Sequence, residues 1–208
     1  GYLDVPTINL NNLAQTDLDI LQKISLAHDR VTMLGGSAQF ATGSWIFKTE
    51  VAHLDEISFN EYKSISIPTL GNIDIPVGEK AFKRLDVLVG AEFFGLSNTT
   101  LSIEYARRTI LNFEDSIGFN GIEEHEDEIA LRATRSFMNE RMDINLVSVI
   151  FNPTDEGSIN RLDLSYEFQD GLNGKVGVLL YENGKNPPFN GFYEIQTLFY
   201  SLKCLVKH

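Results

Sequence analysis

Residues 85–113 read LDVLVGAEFFGLSNTTLSIEYARRTILNF. Taken by twos, Leu101, Ile103, Tyr105, Thr109, Leu111 and Phe113 fall on one side, broken only by Arg107. Ser102, Glu104, Ala106, Arg108 and Asn112 fall on the other, with Ile110 as the exception. The first half repeats the pattern, with Leu85, Val87, Val89, Ala91 and Phe93 against Asp86, Leu88, Gly90 and Glu92. Successive strand side chains point to opposite faces, so this is a pair of half-apolar strands. The turn formers Gly95-Leu96-Ser97-Asn98 join them into a β-hairpin with one apolar face and one ionic face.

The same period recurs outward from this hairpin. Before it, Val31 to Phe40 and Ser44 to Leu54 read as strands around Ala41-Thr42-Gly43. After it come Glu128 to Met138, Arg141 to Asn152, Ile159 to Gln169, Lys175 to Tyr181 and Phe192 to about Val206. In Ile159 to Gln169, Leu162, Leu164, Tyr166 and Phe168 alternate with Arg161, Asp163, Ser165 and Glu167. That makes nine strands. Pro68, Gly71, Pro76 and Gly78 mark Asp55 to Lys83 as a long connection, with Ile57 to Ile67 as a short strand at most. Residues 1–29 are irregular, with helical spacing in Leu13, Leu18, Leu21 and Ile24 behind a cap at Thr16 or Asp17. The chain thus divides into an N-terminal segment, 1–29, and a β-meander, 30–208.

Composition narrows the classes of function. A net charge of -12 over 208 residues supplies no basic footprint for nucleic acid. There is no run of about 18 apolar residues, and therefore no transmembrane helix. Cys204 is the only cysteine, which forbids an internal disulfide; it reads as a small apolar strand residue. Phosphate loops, paired-cysteine zinc sites, nucleophile elbows and His-Glu-x-x-His are absent, so we expect no enzyme and no cofactor. Glu123-Glu124-His125-Glu126-Asp127 reads as a solvated acidic loop rather than a calcium site, and His28, His53, His125 and His208 share no ligand spacing.

The lengths of the connections carry the architecture. From Phe40 onward they run short, long, short, long, short, medium, short, medium, so a meander collects the short turns at one end and the long loops at the other. Outer-membrane barrels are built this way, and strands of about 9–11 residues suffice to cross a bilayer at a tilt. The expected fold is all-β: an antiparallel up-and-down meander forming a transmembrane β-barrel, nine to ten strands of a larger barrel, with a short N-terminal helix. In such a barrel Lys48, Glu50, Asp86, Glu92, Glu104, Arg108, Glu128, Arg132, Asp143, Arg161, Asp163 and Glu167 line a hydrated lumen. Leu101, Ile103, Tyr105, Leu162, Leu164 and Tyr166 face lipid. Trp45, Tyr105, Phe113, Phe137, Phe151, Tyr181, Phe192 and Tyr193 lie near apolar strand ends, as aromatic girdles do. A soluble barrel or sandwich binding a hydrophobic ligand is the alternative, since periodicity does not say which face is inside.

The segments Leu34-Gly35-Gly36-Ser37, Gly43 to Ala52, Arg84 to Gly90 and Thr99 to Glu104 resemble strand pairs of large Gram-negative porin-like barrels. The nearest family is the uncharacterised outer-membrane barrels of domain-of-unknown-function family 1302, over roughly Arg30 to the C-terminus. Members are much longer, so the resemblance implies a C-terminal portion of such a barrel. It also implies placement in the bacterial outer membrane by the barrel-assembly machinery, and passive transport with envelope partners. Such barrels commonly end on an aromatic residue, whereas this sequence ends Leu205-Val206-Lys207-His208. Nine strands also depart from the even number of single-chain bacterial barrels, which implies further N-terminal strands or one within residues 1–29.

Overall fold

The computed structural model describes residues 30–67, 71–118, 121–153, 156–185 and 195–204. The helix expected within residues 1–29 lies outside them. Alternating sequence becomes strand throughout: β1 (Thr32–Thr42), β2 (Trp45–Ile67), β3 (Gly71–Leu96), β4 (Thr99–Leu111), β5 (His125–Phe137), β6 (Met142–Phe151), β7 (Ser158–Gln169), β8 (Leu172–Glu182) and β9 (Ile195–Cys204). They form one nine-stranded sheet in the order β1 to β9, each strand beside its sequence neighbours. The antiparallel registers from β5 to β9 are continuous, with one irregularity between Glu167 and Gln169. Among the described residues the sheet is open, with β1 and β9 at its edges. A 3-10 turn, η1 (Asp115–Ile117), lies in the β4–β5 connection.

The expected long connection from Asp55 to Lys83 is instead strand over Asp55–Ile67 and Gly71–Lys83. β2 runs 23 residues and β3 runs 26. Pro76 sits inside β3, where Ile73, Ile75 and Val77 keep the alternation and lie exposed. Gly71, at a positive φ, opens β3, and Gly78 like Pro76 lies inside the strand. Ser64 donates to Asp74 across this hairpin. β2 also carries an irregularity: Glu56 has φ 64, and its N–H is held by the Asp55 carboxylate. One extra residue there lets Leu54 and Ile57, three apart, both be buried.

The described chain forms two compact units. The first includes Ala52–Leu85 and Thr109–Glu124. Its interior is conventional: Phe82, Ile110 and Ile117 are buried together, with Phe59, Phe113 and Ile122 packed against them. Its ion pairs, Lys80–Glu114 at 2.6 Å and Lys83–Asp55 at 2.9 Å, are exposed. The second unit includes Gly36–Val51, Asp86–Arg108 and the chain from His125 on, and its polarity is the reverse.

Candidate functional site

In the second unit the apolar faces of the strands carry many exposed side chains. Leu101 is 40% exposed, Ile103 51%, Leu162 45% and Leu164 36%, while Tyr105 and Tyr166 are half-buried. Asp163, between Leu162 and Leu164 in sequence, is 3% exposed. Strand alternation puts it on the opposite side from its neighbours. Water-soluble sheets bury Leu and expose Asp, so this arrangement is inverted.

The charged face is internally paired. Asp163 accepts from Arg161 Nε at 2.7 Å and from Lys175 Nζ at 2.9 Å, so its buried charge has two partners. Gly177 lies opposite Asp163 in register and makes room for it: a Cβ there would come within 2.8 Å of the Asp163 Cβ. The Phe199 ring covers the glycine from β9 and lies 5.1 Å from the Arg161 guanidinium. Arg132 and Thr134 both donate to Asn145, the β6 partner of Asp163. Lys48 pairs with Glu104, and Glu50 and Glu92 add their fields to it. Arg108 lies 3.6 Å from both Glu126 and Glu128, and Ser136 donates to Asp143 at 2.6 Å.

Of the polar-face residues expected from sequence, Lys48, Asp86, Glu92, Glu104, Glu128, Asp143, Arg161 and Glu167 are half-buried. Glu50, Arg108 and Arg132 are exposed. Sequence reasoning missed Lys175, Gly177 and Phe199. Their signal was register with Asp163, which a sequence does not display.

Moving along the strands away from the short turns, both faces change character. On the otherwise apolar side, Arg107 clamps Asp127 through two hydrogen bonds of 2.7 and 2.6 Å, and the Tyr105 hydroxyl donates to the same carboxylate. The Asn152 side chain accepts from the Asp127 N–H at 2.6 Å. Beside them Ser148 donates to Asn160, Asn160 to Ser158, and Ser158 to Glu182. This polar row edges an open cleft of about 510 Å³. On the ionic side, the same levels of β6 to β8 bring Val149, Phe151, Ile159 and Tyr181. The two faces exchange polarity along a line crossing β6 to β8, while on β5 Glu128 stays ionic beside Phe151.

At the short-turn end the exposed face is aromatic. Trp45 stacks on Phe47 at 5.9 Å and meets Phe93 at 4.6 Å, and Tyr166 meets Phe168 edge-on at 5.1 Å. Arg135 lies 4.9 Å from the Phe137 ring and Arg141 5.7 Å from that of Tyr166.

Among the described residues no three His, Cys, Asp or Glu side chains converge as metal ligands. No helix there is long and apolar enough to cross a membrane, which leaves strands unaddressed. No protein-family model, curated protein or solved structure matches this chain. The likeness to family 1302 therefore stays a likeness of strand patterns.

Proposed function

We propose that the second unit is the membrane-spanning part of an outer-membrane β-barrel, acting as a passive porin-like conduit for small solutes. The observation that carries this reading is the exchange of polarity. Exposed apolar side chains are tolerated where the surroundings are hydrocarbon, and a charged face is stable where it encloses water. Below the line, leucines face out and carboxylates in; beyond it, conventional burial returns, as expected for strands leaving the bilayer. The dimension fits. From Asn160 to Phe168 there are eight residue steps, roughly 27 Å along a strand at about 3.4 Å per residue. At a tilt of about 40° this projects to roughly 21 Å, near the ~25 Å apolar band of such barrels. Aromatic rings at one border and a hydrogen-bonded polar row at the other complete the band.

On the ionic face, carboxylates (Glu50, Asp86, Glu92, Glu104, Glu128, Asp143, Asp163, Glu167) outnumber cations (Lys48, Arg108, Arg132, Arg161, Lys175). A pore lined this way favours cations and neutral solutes over anions. The soluble alternative places Leu101, Ile103, Tyr105, Leu162, Leu164 and Tyr166 around an internal cavity; the four aliphatic side chains are exposed and the two tyrosines half-buried.

Two measurements test the reading. Trp45 is the only tryptophan and sits on the exposed face, so bromine-labelled acyl chains should quench its fluorescence while aqueous iodide should not. The reverse result rejects the membrane orientation. Conductance in planar bilayers should be cation-selective; anion selectivity, or a closed full-length barrel without conductance, rejects the conduit.

A further inference from the structure

We infer that the short-turn border of the exposed face is a binding surface for anionic phospholipid headgroups, held by Arg135 and Arg141. This rests on the membrane-spanning reading and adds the identity of the lipid. Arg135 belongs to the apolar side of β5 by alternation, two residues from Ala133 and from Phe137. It is exposed, and its partner across β6 is Ile144, which offers it no counter-charge. Its guanidinium rests on the Phe137 ring. Arg141 leaves the following turn and donates to the Glu167 and Phe168 carbonyls at 3.0 and 2.7 Å, which fixes it beside the Tyr166 ring.

Phe137, Met142 and Tyr166 are successive register partners, so the two cations flank one continuous apolar and aromatic row. At the other border the face carries Arg107 neutralised by Asp127, together with the acidic Glu182. Among the described residues the cations of the short-turn border have no such carboxylate within the face. Glu140 and Asp170 belong to the turns, and Glu167 alternates to the opposite side. On a chain of net charge -12, two arginines held on rings beside an exposed apolar surface match a phosphodiester whose acyl chains continue along that surface. The phosphate would meet the guanidinium groups, and the chains would lie over Met142, Leu164 and Leu162.

The test uses the full chain folded in detergent and offered equal phosphatidylglycerol and phosphatidylcholine, with retained lipid read by native mass spectrometry. Retention should favour phosphatidylglycerol, and each Arg→Gln change should reduce that preference roughly fivefold, as expected for one arginine at an anionic surface. Arg135→Lys should keep most of it. Arg141 also secures backbone carbonyls, so Arg135→Gln alone decides if the Arg141 variant misfolds. Equal retention by the wild type, or an unchanged preference in Arg135→Gln, overturns the inference. Trp45 quenching by brominated lipid reports separately: quenching without lipid preference sinks this inference alone, and its absence sinks the membrane reading beneath it.

Discussion

Asp163 is a carboxylate with almost no contact with solvent, and its stability depends on the two cations that face it. Replacing it by alanine leaves Arg161 and Lys175 without their shared counter-charge. Both cations keep partial exposure, which discounts the cost of a fully buried pair to about 1–3 kcal/mol in denaturant unfolding. Gly177→Val should cost at least as much, because the new side chain enters the space of Asp163 and the Phe199 ring. At Asp55 the effect concerns pH. The hydrogen bond from Lys83 holds its carboxyl below the usual carboxylate range, against an opposing desolvation. The folded value therefore lies below the unfolded one of about 3.9. The pair's contribution is present above that pH and fades as pH falls through the depressed value. An NMR titration should find Asp55 low, and Lys83→Met should return it toward the ordinary range.

Among the elements, nine strands and their order were legible because period-2 alternation survives in almost every one. Two features were not. The Asp55 to Lys83 hairpin was obscured by Pro68, Gly71, Pro76 and Gly78, which outweighed the alternation of Ile73, Ile75 and Val77. The border rows were visible only as irregularities. Arg107 on the apolar side and Ile110 on the polar side of β4 looked like breaks in a pattern; one clamps Asp127 and the other joins the Phe82 core. Cross-strand partners such as Lys175 and Phe199 need register, which alternation leaves open. The exposed face gives its own prediction. Leu164→Arg on β7 should cost about 2–4 kcal/mol in a bilayer, near the middle of the apolar band. In a soluble sheet an exposed position would tolerate the same change within about 0.5 kcal/mol. Folding equilibria in vesicles distinguish the two.

The molecule as a whole joins one sheet to two kinds of interior. One unit hides phenylalanine and isoleucine from water; the other leaves leucines exposed and pairs its ions. Such a chain should require detergent to remain dispersed, and sedimentation in plain buffer should show aggregation through Leu101, Ile103, Leu162 and Leu198. A monodisperse monomer without detergent contradicts the proposed environment. The edges that β1 and β9 form among the described residues add to the liability, since an unpaired strand edge recruits others.

The left-handed residue at Glu56 gives β2 two grammars. Up to Val51, odd-numbered positions take Trp, Phe and Val outward; after the extra residue, odd-numbered Ile57 turns inward. A saturation scan along this one strand should therefore read like two proteins spliced together, with the tolerance for charge at odd positions changing sign across a single peptide. Deleting Glu56 would put the downstream half out of phase with its own core, a harsher outcome than any substitution there.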